Sequence, residues 1–296
     1  MTEALPPTEA VDAATRGLDS MPTADLVAAL IAAQGRALEA VQAAAPHIAR
    51  AADAVSARLR SGGVLHYVGA GTSGRLGVLD AAELPPTFGV PASLAVAHIA
   101  GGPAAMSGAV EGAEDDSRGF DADIRAKDAV IGISASGSAA FVCASLERAK
   151  AKGALTVAIT SAPHSRLAKL ADVAIVTETG AEPLAGSTRM LAGTAQKMVL
   201  SALSTAVMVR LGKVYDNLMV DVAATNEKLR GRALRLVREL CDLGEQQARE
   251  LLERSGGSVK RAVVMQRLGV DSDSAQTLLR LNNESLRDVL ERSPKP

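Results

Sequence analysis

Five short apolar runs, at residues 64–68, 93–97, 129–134, 155–160 and 173–176, alternate with stretches of helical patterning, and this alternation limits the fold more than any other feature of the chain. Strands separated by helices join through right-handed crossovers. The runs therefore predict an α/β fold, a doubly wound, five-stranded, mostly parallel sheet. In such sheets ligands bind outside the carboxyl ends of the strands, where the strand order reverses. The loops leaving the first and third strands are the places to look for chemistry.

The first loop lies within residues 64–86, VLHYVGAGTSGRLGVLDAAELPP. A strand feeds a helix through Gly69, Gly71, Thr72, Ser73 and Gly74, and the helix is expected to stop at Pro85 and Pro86 just after presenting Glu83. Backbone N–H groups and the helix dipole converge at such a turn, making an anion site with Gly71, Thr72 and Ser73 as candidate contacts. Gly69, Gly71 and Gly74 also spell the G-x-G-x-x-G of dinucleotide sites, which needs an acid about 20 residues on to hold a ribose. The residues there are His98, Ile99 and Ala100, so a small phosphorylated ligand fits better than a dinucleotide.

The loop after the third strand carries Ser134, Ser136, Gly137 and Ser138 ahead of a helix over 139–152. Each serine alone is explained as a helix cap. Two hydroxyl-rich turns at one sheet edge, however, can share one phosphate. No Walker lysine follows either loop, so a nucleotide triphosphate is not suggested.

Between the second and third strands, residues 100–120 form an irregular connection with Glu111, Glu114, Asp115 and Asp116. A cluster of acids is explained as a solvated helix N-terminus. Glu83 and this cluster nevertheless fall near one edge of the expected sheet, and paired carboxylates beside a phosphate cradle suit general acid/base chemistry on a sugar phosphate. After the fifth strand, Glu182 and Lys197 are polar residues at the head of, or within, an apolar helix. A lysine there must reach water, a partner or an anion, so both are candidate ligand contacts, with snorkelling the plain alternative for Lys197.

Composition narrows the ligand class. Aromatic residues make up only 2% of the chain and Trp is absent, so stacking on bases is not a theme, and a formal net charge of −1 leaves no footprint for nucleic acid or an anionic membrane. Cys143 and Cys241 lack C-x-x-C spacing and read as reduced thiols, with no zinc site. The N-terminus has neither a basic start nor an apolar core of signal-peptide type, which points to the cytoplasm. The apolar segment 190–211 contains Gln196, Lys197 and Arg210 and reads as a buried helix, not a membrane span. Three regions follow: a loosely ordered lead-in over 1–22, a sheet domain with its N-terminal helices over 23–222, and a helical subdomain over 223–296 broken at Gly244, 255–257, Gly269 and 282–283.

Residues 69–89 (GAGTSGRLGVLDAAELPPTFG), 111–116 (EGAEDD), 186–200 (GSTRMLAGTAQKMVL) and 210–233 (RLGKVYDNLMVDVAATNEKLRGRA) together resemble the N-acetylmuramic acid 6-phosphate etherases of the sugar isomerase (SIS) superfamily. The resemblance implies a homodimeric lyase of bacterial cell-wall recycling that uses no metal or cofactor. It would split the lactyl ether of N-acetylmuramic acid 6-phosphate into N-acetylglucosamine 6-phosphate and D-lactate. The family's two catalytic glutamates fall on Glu83 and Glu114, and its phosphate-binding hydroxyls correspond in part to Thr72, Ser73, Ser134, Ser136 and Ser138. On this resemblance Glu114 is the base at carbon 2 and Glu83 the acid that protonates departing lactate. For that role Glu83 needs burial or a neighbouring carboxylate to keep its proton near neutral pH.

The chain departs from the family after the third strand. The usual Ala-Ser-Gly-Arg-Thr-Pro-Tyr run reads Ala135-Ser136-Gly137-Ser138-Ala139-Ala140-Phe141, without the Arg and two of the hydroxyls, and the 180–182 segment lacks the usual Pro. Two other readings share the phosphate cradle: an aldose–ketose phosphosugar isomerase, and a non-catalytic sugar-phosphate sensor. The acidic 111–116 segment beside AELPP favours the etherase.

Overall fold

The computed structural model describes residues 6–120, 123–221 and 227–292, the side chain of Lys228 excepted. Contacts divide the chain into two compact units. One comprises Met1–Ala82 with Ala92–Ala206, the other Glu83–Pro91 with Val207–Pro296. The boundary expected at 222/223 falls outside the described residues.

In the first unit, helices α1 (Thr23–Ala33), α2 (Gly35–Ala43) and α3 (Ala45–Arg60) lead into β1 (Leu65–Gly69) and α4 (Gly71–Phe88), whose residues from Glu83 on count with the second unit. There follow β2 (Ala95–Ile99), β3 (Ala129–Ile133), α5 (Ala140–Ala151), β4 (Leu155–Thr160), α6 (Arg166–Leu170), β5 (Val173–Val176) and α7 (Leu191–Arg210), whose residues from Val207 on count with the second unit. The five strands form one sheet in the order β2-β1-β3-β4-β5, with every pairing parallel. This is the expected doubly wound sheet, and its order reverses between β1 and β3, the place where such sheets hold ligands. Every residue of β1, β3 and β4 is buried, which is why these strands read as continuous apolar runs and not as alternating ones.

Polar bonds lock the two helices that start near this edge. Tyr67 on β1 donates to Asp80 of α4 at 2.7 Å, and Ser204 of α7 donates to the other oxygen of Asp80 at 3.1 Å. Burial, then the Asp80 charge, pushes the Tyr67 phenol well above its ordinary range. On the opposite side of β3 a side chain at Gly132 would start 2.5 Å from Leu146, so glycine is what lets α5 pack this close.

The lead-in differs from expectation. Residues 6–22 form three short 3-10 turns, at Pro7–Glu9, Ala13–Thr15 and Leu18–Ser20. They are tied to the same unit: Gly186 N–H donates to Thr8 O at 3.1 Å, Thr15 Oγ1 to Pro183 O at 2.8 Å, and Arg36 pairs with Asp12 at 2.5 Å. Such ties are polar and reach far along the chain, 168 residues in the case of Thr15 and Pro183, so local hydrophobic periodicity carries no trace of them. Residues 1–5 lie outside the described set.

The second unit holds the hairpin β6 (Val214–Tyr215) and β7 (Leu218–Met219), then α8 (Glu227–Cys241), α9 (Glu245–Arg254), α10 (Val259–Leu268), α11 (Ser272–Leu281) and α12 (Leu286–Arg292). Val237, Ala248, Val263, Leu279 and Val289 meet in its core. The expected breaks fall between helices, Gly269 ending α10 in the left-handed region. Lys260 is 1% exposed; its ammonium is satisfied by Asp221 and by the carbonyl of Glu284, each at 2.8 Å.

Candidate active site

The turn from β1 into α4 is tight because two glycines face each other. A side chain at Gly74 would start 2.6 Å from Ile99 and 2.8 Å from the carbonyl of Gly69. Gly71, with φ of +52°, has nothing within 4 Å of where its side chain would begin, so the start of α4 opens onto unfilled space. That space is a cavity of about 300 Å³. Gly71, Thr72 and Arg75 line one side, and residues 108–114 line the other, bringing Glu111 and Glu114 to it.

The acidic segment is held at both ends. Upstream, Arg75 Nε donates to Met106 O at 3.3 Å and Arg75 Nη2 to Gly108 O at 2.7 Å. Downstream, Phe120 stacks on His98 with ring centroids 4.1 Å apart, and its N–H donates to Ser145 Oγ at 3.1 Å. His98 in turn lies 2.9 Å from His66 Nδ1 across the β1–β2 pair, and burial, then His66, lowers its pKa to about 4. Between these anchors Glu114 sits in a single 3-10 turn, Ala113–Asp115, and is exposed. Asp116 is otherwise engaged. Arg118 grips both of its oxygens at 2.9 Å and holds it down to about 2.

The other candidates are spread more widely. Thr72 lines the cavity. Ser73 is buried and turns away from it, donating to Gln196 Oε1 of α7 at 2.9 Å. After β3, Ser134 Oγ accepts from Gly137 N–H at 3.1 Å and so braces the turn, whereas the N-cap of α5 is Ala139, with no side-chain cap, so the helix-cap explanation of these serines does not hold. Ser136 and Ser138 share a hydroxyl–hydroxyl bond of 2.8 Å, and Ser138 is exposed. These serines leave the strand beside β1, and none of the three lines the cavity.

Glu182 is fully buried, and its two oxygens accept from the N–H groups of Leu191 and Ala192 at 2.7 and 2.9 Å, so it caps the first turn of α7. Burial pushes its carboxyl up against the pull of those bonds. Lys197 is half-buried in α7.

Glu83 is exposed and belongs to the second unit, whereas the cavity belongs to the first. The expected end of its helix needs correction. α4 runs through Pro85 and Pro86 to Phe88 and ends at Gly89, whose φ is +64° and whose N–H donates to Pro85 O at 3.0 Å. Proline removes a donor, but its fixed φ is helical, so near a helix end two prolines cost hydrogen bonds without forcing a stop.

Sequence reasoning passed over two residues. Arg75 touches both the cavity and the loop across it, and Gln196 determines where Ser73 points. A glutamine in an otherwise apolar helix was the available signal for the second; nothing in local pattern distinguished the first.

The SIS domain family matches residues 89–206. The N-acetylmuramic acid 6-phosphate etherase of Salmonella choleraesuis (strain SC-B67) is 48% identical over 282 residues, covering 94% of this chain and 95% of its own length. The protein of that name from Salmonella enteritidis PT4 (strain P125109) matches with the same 48% identity and the same coverage. Among solved structures, a phosphoheptose isomerase from Francisella tularensis aligns with a TM-score of 0.48 at 18% identity, over 64% of this chain and 98% of that one.

Proposed function

The chain belongs to the N-acetylmuramic acid 6-phosphate etherases, and from that premise we propose which of its residues carry the reaction. It is an enzyme that cleaves the ether bond of N-acetylmuramic acid 6-phosphate. The observation supporting the site assignment is the cavity that faces the open start of α4 on one side and the Glu114 turn on the other.

An alkoxide is a poor leaving group, so the ether needs activation. In the open-chain sugar, carbon 2 lies beside an aldehyde and its proton is acidic. Glu114 removes that proton, electrons move to expel lactate from carbon 3, and Glu83, exposed in the single chain and so dependent on bound substrate or a second copy for the burial this role requires, supplies the proton that the departing oxygen takes up. Water then adds across the unsaturated aldehyde, its hydroxyl to carbon 3 and a proton to carbon 2. The products are N-acetylglucosamine 6-phosphate and D-lactate. The start of α4, through the Gly71 backbone and the Thr72 hydroxyl, together with Ser136 and Ser138, is our choice for holding the phosphate. Ser73, Ser134 and Glu182 shape those turns through the bonds described above.

Incubation of the protein with N-acetylmuramic acid 6-phosphate should release one D-lactate per sugar consumed. Binding of the sugar phosphate without lactate release would replace the enzyme by a sensor.

We also infer a homodimer. No residue of α1 is buried, and Val27, Ile31 and, on α2, Leu38 are 48%, 68% and 49% exposed. Apolar side chains at that spacing along a helix form a face suited to a second copy. Sedimentation should give twice the chain mass, and a monomer at working concentration would remove this inference. Among the described residues no helix is long and apolar enough to cross a membrane. A cytoplasmic place in peptidoglycan recycling goes with the proposed reaction, and cell fractionation that finds the protein with the envelope would contradict it.

A further inference from the structure

We propose that Arg75 binds the carboxylate of the substrate's lactyl group and so sets the enzyme's specificity for a lactyl ether; the inference rests on the etherase reading. The substrate carries two anions. One is the phosphate on carbon 6, which the start of α4 and the hydroxyl turns can hold. The other is the lactyl carboxylate, attached through the bond that breaks, and no residue considered so far answers it.

Among the residues lining the cavity Arg75 is the one cation. Thr72 and Arg75 are three residues apart on α4 and therefore share a helix face. The guanidinium is half engaged. Its bonds to Met106 O and Gly108 O use Nε and Nη2, the side-on edge of the group. Among the described residues nothing accepts from Nη1, so the end-on fork of Nη1 and Nη2 is available, and that fork matches a carboxylate with two parallel hydrogen bonds. Because the side-on edge is fixed to the loop backbone, the fork is already oriented before a ligand arrives.

Charge makes the same demand. Glu111 and Glu114 line this cavity as well, and a carboxylate entering beside them meets like charge unless a cation accompanies it. A three-carbon acid fits within about 300 Å³. With Arg75 on the lactyl carboxylate and the phosphate at the start of α4, the scissile ether spans two grips. Cleavage separates them, so each product retains one grip and departs more readily than the substrate.

The test uses the full-length protein, its Arg75→Gln and Arg75→Lys variants, and two substrates: N-acetylmuramic acid 6-phosphate and the analogue whose lactyl carboxylate is a primary amide. For wild type, kcat/KM should fall about 10- to 100-fold from acid to amide, the range for hydrogen bonds to a charged group. Arg75→Gln should lose a similar factor on the acid and, because the partner is already gone, no more than about threefold further on the amide. Arg75→Lys should fall between. Affinity for N-acetylglucosamine 6-phosphate, which lacks the lactyl group, should be the same in all three proteins.

Equal losses on both substrates would mean that Arg75 only holds the loop, and a parallel loss of N-acetylglucosamine 6-phosphate affinity would make it a phosphate ligand; either overturns the proposal. If wild type bound the sugar phosphates and released no lactate, the etherase reading would fall instead. Binding of acid against amide would then still decide what Arg75 recognises.

Discussion

Replacing Glu114 by Gln should lower lactate release by about 10²- to 10⁴-fold, the usual contribution of one positioned proton transfer, and should remove exchange of the carbon 2 proton with solvent to the same degree. Both losses follow from one role. If Glu114 takes the carbon 2 proton, no later step proceeds without it, and exchange is that first step run backward. The substitution is close to isosteric and the residue is exposed in a single 3-10 turn, with its flanks fixed by Arg75 and by Phe120, so the fold should tolerate it. Unchanged thermal melting, alongside lost exchange and lost lactate, is the full expected pattern. Exchange that survives in Glu114→Gln would assign the base elsewhere, with Glu111, the other carboxylate lining the cavity, the first candidate.

Glu83→Gln should separate the two steps. A general acid that protonates the departing oxygen is needed for lactate to leave but not for the carbon 2 proton to come off. Lactate release should again drop by about 10²- to 10⁴-fold, while deuterium continues to enter carbon 2 of unreacted substrate. Parallel loss of exchange and elimination in this variant would contradict the division of labour between the two glutamates. The contrast between the variants says more than either rate, since any defect in folding or binding would depress both readouts together.

The sheet was legible in the sequence because its central strands are covered on both faces. The runs at 155–160 and 173–176 coincide with β4 and β5, and the others lie within two residues of β1, β2 and β3. Glycine punctuation likewise located the turn at Gly69–Gly74, since close packing of α4 on the neighbouring strand end leaves room for no side chain at Gly74. Those features are written in local composition. The direction of a side chain is not.

Thr72 and Ser73 are adjacent hydroxyls in one motif, yet one lines the cavity and the other is drawn into α7 by Gln196, 123 residues away in the chain. Glu182 looked like a ligand contact for the same reason that it makes a good cap: a carboxylate among apolar residues needs donors, and the first turn of α7 supplies them. Pro85 and Pro86 suggested a stop because their missing donors are visible in sequence, whereas the hydrogen bond that closes the helix beyond them, from Gly89, is not. The grouping of Glu83–Pro91 with residues more than a hundred positions later depends on long-range contacts that no window of sequence contains.

The most direct test of elimination through carbon 2 is a proton NMR time course of the wild-type protein with N-acetylmuramic acid 6-phosphate in D₂O. The account predicts that D-lactate appears together with N-acetylglucosamine 6-phosphate carrying deuterium at carbon 2 in every molecule formed. Lactate released with the original proton retained at carbon 2 would mean direct displacement or hydrolysis of the ether, and would contradict the roles given to both glutamates.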